Sequence, residues 1–182
     1  MKKGIILAAL AMTTLAGCDK VTKDIDVDNV KFEFTAVTEN VANRSGLTIK
    51  SSGTTTSFSV TRKVDLSEFS TAEIVDYLDK INKVAVNNPV LKITMNPPGA
   101  YEITNFTLTA EGVKGSLDIA SYKIGDEFVP PSGMKKFTSD FIMKLISEKS
   151  LSVTVSGETN APAGTTVKIS YESDLVVTVD LL

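Results

Sequence analysis

"VKISYESDLVVTVDL", Val167 to Leu181, decides the fold. Val167, Ile169, Tyr171, Leu175, Val177, Val179 and Leu181 fall at every second position, and Ser173 keeps the phase. Between them stand Lys168, Ser170, Glu172, Asp174, Thr178 and Asp180. Period two sends successive side chains to opposite faces of a strand, so one face is buried and the other solvated. A helix would need spacings of three and four. A strand this long is expected to be central, and to bend partway and pass between two sheets.

The alternation continues outward from this stretch. Leu151, Val153 and Val155 alternate up to Gly157, and "ETNAPAGT" forms the connection. Ile25 and Val27 hold one phase, and Val30, Phe32, Phe34 and Ala36 hold the other. The slip at Asp28-Asn29 predicts a β-bulge or a break between two strands. Glu39 to Arg44 and Ser51 to Ser57 are polar connections around a short strand at Thr48–Lys50. Phe58, Val60, Val64 and Leu66 alternate, with Arg62 the exception. Leu91, Ile93 and Met95 stop at Asn96-Pro97-Pro98-Gly99, and Tyr101 and Ile103 slip at Thr104-Asn105 to Phe106, Leu108 and Ala110. "EGVKG" then turns that strand into "SLDIASYKI" as a hairpin.

Two segments change period. Ser70-Thr71-Ala72-Glu73 fits a capping box, and Ile74, Tyr77, Leu78, Ile81 and Val84 recur at helical spacing. A helix is expected over Ser70–Val84, closed by Asn87-Asn88-Pro89. "FTSDFIMKLISEK" places Phe137, Phe141, Ile142 and Leu145 on one face, predicting a second helix over Thr138–Glu148 with Thr138 or Ser139 as N-cap. Period two dominates. The expected fold is mainly β: an antiparallel β-sandwich, immunoglobulin-like or jelly-roll-like, with two short accessory helices, as one domain over residues 25–182.

The N-terminal region is of another kind. Met1-Lys2-Lys3 precedes an apolar run, Gly4 to Leu15, diluted only by Thr13 and Thr14. A bilayer span needs roughly 20 apolar residues, so the run reads as a secretory signal. Taken alone, the residues also fit an ordinary signal with Cys18 incidental, or a short buried helix carrying a core cysteine. Leu15-Ala16-Gly17-Cys18 resembles a bacterial lipobox. The resemblance implies diacylglycerol in thioether linkage on Cys18, cleavage after Gly17, and acylation of the new amino terminus. Residues 1–17 are then the signal peptide and residues 18–24 a lipidated tether. Two or three chains anchor stably, at about 0.8 kcal/mol per buried CH₂.

"VKFEFTAV", "FSVTRKVDL" and the two closing strands complete the pattern. Over nearly its full length the chain resembles the small β-sandwich lipoproteins of Bacteroidota. That resemblance implies compartment and fold, and no site residue beyond Cys18. The implied location is the cell envelope, at the periplasmic or surface face of the outer membrane. Asp19 also resembles the inner-membrane retention signal of enterobacteria, which keeps the inner membrane open.

Composition closes many chemical routes. The chain has no histidine, and its one cysteine is the expected acylation site, so Ser-His-Asp and Cys-His sites cannot be built. The usual ligands for zinc and copper are missing as well. Without Lys2 and Lys3, the 19 basic residues fall to 17 against 22 acidic ones, a net charge of −5. That balance argues against a nucleic-acid partner. No catalytic residue, metal or cofactor is expected.

The remaining candidates are weak. Asp24, Asp26 and Asp28 could share a cation, but Asn29 and Thr35 stand where an EF-hand needs glycine and glutamate. A solvated strand face is the preferred reading. Asp118 with Glu127, or Glu172 with Asp174, would be glycosidase-type pairs, each on a face where charge is expected anyway. Arg62 could pair with a buried carboxylate or line a pocket, a sandwich-edge position being preferred. Tyr77, Tyr101, Tyr122 and Tyr171 read as core. Two functions stay open: a lipid-anchored, non-catalytic module that meets protein or glycan, and a carrier of an apolar ligand or lipid. A carrier requires an apolar pocket of several hundred Å³.

Overall fold

The structure is a computed structural model that describes residues 21–41, 55–68 and 72–181. Its strands are β1 (Thr22–Val37), β2 (Glu39–Asn40), β3 (Thr56–Asp65), β4 (Ile81–Asn96), β5 (Glu102–Ala110), β6 (Leu117–Lys123), β7 (Ser150–Thr159) and β8 (Thr166–Asp180). They form two antiparallel sheets packed together, a β-sandwich. Sheet A has the order β1-β8-β4, and sheet B the order β2-β3-β7-β5-β6. One helix of several turns, α1 (Met134–Glu148), crosses from β6 to β7 and lies against β4.

β8 is the central strand of sheet A, as its alternation predicts. Ile169 pairs with Phe34 on one side and Ile93 on the other; Val177 pairs with Ile25 and Val84. Val167, Ile169, Tyr171, Ser173, Leu175, Val177 and Val179 are all buried. The strand stays in sheet A throughout and does not pass between sheets, because both neighbours follow it along its whole length.

The expected slips are bulges. Between Val27 and Val30 the β1 register shifts around Asp28-Asn29, and β5 shifts against β7 between Thr104 and Thr107. Asn29 and Asn105 take φ of 58° and 51°, a left-handed conformation that asparagine tolerates better than most residues. The Glu111–Gly115 turn joins β5 to β6 as the expected hairpin. Two polar connections are partly strand: Glu39-Asn40 pairs with Thr56-Ser57. Thr48–Lys50 lies outside the described residues.

The Ser70–Val84 helix is corrected. Among the described residues of that span only Ala72–Val75 is helical, and turns carry the chain to Lys80 through Tyr77 N–H to Ile74 O (2.8 Å) and Lys80 N–H to Tyr77 O (2.9 Å). β4 then begins at Ile81. Its partners jump from Val179 opposite Ile81 to Thr178 opposite Lys83, so Asn82 is an extra residue. That bulge spaces the inward-phase Ile81 and Val84 three apart, mimicking a helical repeat. Asn87-Asn88-Pro89 is a second bulge inside β4 rather than a helix stop, with Asn88 at φ 47°. Ser70 and Thr71 of the capping box lie outside the described residues.

The second helix is present and longer than expected. It starts at Met134 with Gly133 as N-cap and no side-chain cap. Thr138 and Ser139 are therefore interior, and their hydroxyls serve distant partners. The Tyr171 hydroxyl donates to Thr138 Oγ1 (3.0 Å), and Ser139 Oγ donates to Val84 O (2.6 Å). Phe137, Phe141, Ile142 and Leu145 are buried as the spacing predicts. Phe141 meets Phe32 edge-on at 5.4 Å, and Phe32 stacks on Tyr171 at 6.3 Å. Helix and sheet A thus share one aromatic layer.

Sheet B contributes its own inward row. Phe58 of β3 lies opposite Gly157 of β7, and a Cβ at Gly157 would meet the Phe58 ring at 2.7 Å. The glycine is needed for the ring to lie down. Ile103, Phe106 and Leu108 of β5 and Val153 and Val155 of β7 complete the layer. Each fully buried side chain of this size stabilises by roughly 1.5–3 kcal/mol.

These positions define a test. Ile169→Asp or Val177→Asp would bury an unpaired charge, costing several kcal/mol out of the roughly 5–15 kcal/mol a domain holds. Their denaturant midpoints should collapse, whereas Lys168→Ser on the outward face should stay within about 0.5 kcal/mol of the parent. A chain ending at Glu172 should not fold. Equal, small shifts at inward and outward positions would show that β8 is not the buried centre of sheet A.

Candidate functional site

Inward alternation leaves the opposite side chains of sheet A to solvent, and this outward face collects most of the candidate polar residues. β1 presents Asp24, Asp26, Lys31, Glu33 and Thr35; β8 presents Lys168, Ser170, Glu172 and Asp174; β4 presents Lys92 and Thr94. A groove of about 320 Å³ runs over Lys31, Thr35, Lys92, Thr94, Lys168 and Glu172. A more open recess of about 520 Å³ adjoins it, bounded by Glu33, Arg62 and Glu68.

Charges within the groove are arranged unevenly. Lys31 Nζ lies 2.8 Å from Glu33 and 3.4 Å from Glu172. Hydrogen bonds to these two carboxylates raise the Lys31 pKa, and the bond from Lys31 lowers that of Glu33. Among the described residues Lys92 and Lys168 make no ion pair. The two ammonium groups, Lys168 within electrostatic reach of Glu33, stand beside Thr35, Thr94 and Ser170 and give an open, hydrogen-bonding surface. Chemically it can receive anionic or hydroxyl-rich groups.

Arg62 pairs with a carboxylate at the rim of the sandwich. Nη1 donates to Glu68 Oε1 (3.1 Å) and Nη2 to Glu68 Oε2 (2.9 Å), a two-pronged geometry. The Asp65 backbone N–H donates to the same carboxylate (3.0 Å). The guanidinium also lies 5.0 Å from the Phe34 ring centre, within cation–π range. Burial pushes the Glu68 pKa up, but the Arg62 bonds and the Asp65 N–H outweigh it, and the net direction is down. Glu68 is the residue sequence reasoning missed. It sits six positions after Arg62, on the 3-10 turn Leu66–Glu68, and no periodicity pointed to it.

The other candidates are dispersed. Asp24 accepts from Thr178 Oγ1 (2.7 Å), and among the described residues no three acidic side chains gather as a cation site. Asp118 accepts from Thr107 (2.9 Å) and Ser116 (2.5 Å). Glu127 is exposed in the loop beyond the other end of β6, so the structure does not bring it to Asp118. Glu172 and Asp174 share the outward face of β8 but are separately engaged. Asp174 accepts from the Asn29 N–H and from Asn88 Nδ2, both at 3.1 Å. Tyr171 is core, as expected. Tyr77, Tyr101 and Tyr122 are half-buried and pack against the margin of the core: Tyr77 lies under Lys23 at 5.5 Å, and Tyr122 packs edge-on to Phe128. Cys18 lies outside the described residues.

Comparison with family models, with curated proteins and with solved structures returns no match for this chain.

The Asp174 contacts have a consequence for acid stability. The Asn88 and Asn29 hydrogen bonds lower its pKa in the folded state. A depressed carboxyl pKa contributes stability above the unfolded value, about 3.9, that is lost as pH falls through the folded value. Asp174→Asn should therefore be less stable than the parent near pH 7, with the gap closing below about pH 4. Denaturant midpoints across that range would reveal it. A gap that does not change with pH would sink the assignment.

Proposed function

We propose that the protein is a lipid-anchored module of the cell envelope, held by acyl chains on Cys18, and acting without catalysis. Its role is to bind or support a protein or glycan partner. The observation that carries this reading is Leu15-Ala16-Gly17-Cys18, placed behind a basic start and a short apolar run. Among the described residues no helix is long and apolar enough to cross a membrane. The partner-binding part is supported by the outward groove of sheet A and by Lys92 and Lys168 on it.

The carrier reading has less support. The apolar cavity between the sheets and α1, lined by Phe32, Phe34, Phe137, Phe141 and Tyr171, holds about 20 Å³. That is roughly the room of one water molecule, and an acyl chain would require the aromatic layer to open.

Cys18→Ala tests the anchor. The variant should lose incorporation of a labelled fatty acid and leave the membrane fraction as a folded protein. A variant that keeps both the label and the membrane would overturn the proposal.

A further inference from the structure

We infer that the end of sheet A built from Val21-Thr22, the 79–82 segment and Asp180-Leu181 rests on the surface of a phospholipid bilayer. The inference rests on the lipid anchor proposed above. Only Asp19, Lys20 and Val21 separate Cys18 from Thr22, the first residue of β1. Val21 is already held to the domain, its carbonyl accepting from the Leu181 N–H at 2.8 Å. Fully extended, the four steps from Cys18 to Thr22 span at most about 14 Å. Sheet A is much longer. The 15 residues of β8 run about 45–50 Å from Thr166 down to Asp180. An anchor at Cys18 therefore holds one end of the sheet at the headgroups and leaves the other end free to stand away.

Three features of that end suit a bilayer. Val21 and Leu181 are 47% and 37% exposed, and Val75 is 52% exposed two residues before Tyr77, which lies under Lys23 of β1. Val21 and Leu181 meet at this end through their backbone hydrogen bond, so two exposed apolar side chains stand side by side where the tether begins. The backbone there is closed, with Asp180 N–H donating to Lys80 O (2.9 Å), and a groove of about 300 Å³ lies between the 79–82 segment and Asp180-Leu181. The charges are mixed: Lys23, Lys80 and Lys83 stand with Asp24, Asp79 and Asp180. The short tether, rather than attraction to anionic lipid, therefore sets the orientation. Lying flat would instead press Lys31, Lys92, Lys168 and Glu172 against the headgroups and cover the groove. Standing on its end, the domain presents that groove to the aqueous side.

The single native cysteine makes the test direct, because a thioether at Cys18 leaves an introduced cysteine as the only free thiol. Full-length lipidated Asp79→Cys and Ala163→Cys are labelled with a thiol-reactive fluorophore. They are reconstituted into phosphatidylethanolamine–phosphatidylglycerol vesicles carrying a headgroup spin label. Asp79 is exposed at the anchored end, and Ala163 is exposed in the turn before β8 at the other. Quenching should be several-fold stronger at position 79. A Gly/Ser insert of about a dozen residues between Lys20 and Val21 should remove the difference, since a flexible linker of that length lets the domain tumble. Equal quenching without the insert, in protein that stays with the vesicles, would overturn the orientation. Protein that is not lipidated and does not enter vesicles would overturn the anchor instead.

Discussion

Everything in sheet A is referred to β8, and β8 carries its constraint at one residue. Both neighbouring strands insert extra residues at the level of Ser173-Asp174: Asp28-Asn29 in β1 and Asn88-Pro89 in β4. A bulge on one side of a strand bends and twists the pair locally. Bulges on both sides at the same level concentrate that twist in the whole sheet. The Asp174 carboxylate receives the Asn29 N–H on one oxygen and Asn88 Nδ2 on the other, so one side chain ties both irregular strands to the regular one. Both asparagines take left-handed backbones. Most other L-residues would pay about 1–2 kcal/mol there.

Twist at that level separates two packing environments along one sheet. On one side, Phe34 of β1 meets Arg62 of β3, and β1 runs close to β3 where the sheets join. On the other, Val84 of β4 accepts from Ser139 of α1, and Lys23 of β1 covers Tyr77. Phe32, Phe141, Tyr171 and Thr138 lie between these regions. The Tyr171 hydroxyl is buried and hydrogen-bonded to Thr138 rather than left unsatisfied, a state that would cost about 1–3 kcal/mol. This bond fixes the rotation of α1 against sheet A, which apolar contacts alone would specify less sharply.

The strands were legible because burial on one face writes itself directly into period two. The slips at Asp28-Asn29 and Thr104-Asn105 were legible for the same reason, since an extra residue moves every later side chain to the other face. The Asn82 bulge defeated that logic. It lies at the first pairs of β4, where too few apolar residues precede it to establish a phase, and the Ile81–Val84 spacing then extends the Ile74-Tyr77-Leu78 pattern. Thr138 and Ser139 misled in a related way. Cap chemistry is local, but these hydroxyls are used across the fold, at Tyr171 and Val84. Glu68 was invisible because an ion pair between a strand and the turn after it has no periodic signature. Arg62 was visible only as an apolar position occupied by a charge.

How the strand edges are handled is consistent across both sheets. An exposed edge offers unpaired N–H and C=O groups to any other chain. β1 and β4 are the long edges of sheet A; β1 is interrupted at Asp28-Asn29, and β4 at Asn82 and again at Asn88-Pro89, where proline has no N–H to offer. Lys92 stands on the outward face of β4, and Ser139 occupies the Val84 carbonyl. In sheet B the outer strands are short, two residues in β2 and seven in β6. Edge-to-edge pairing is the association that a two-sheet fold most readily falls into, and the bulges that twist sheet A are also what deny it a continuous template.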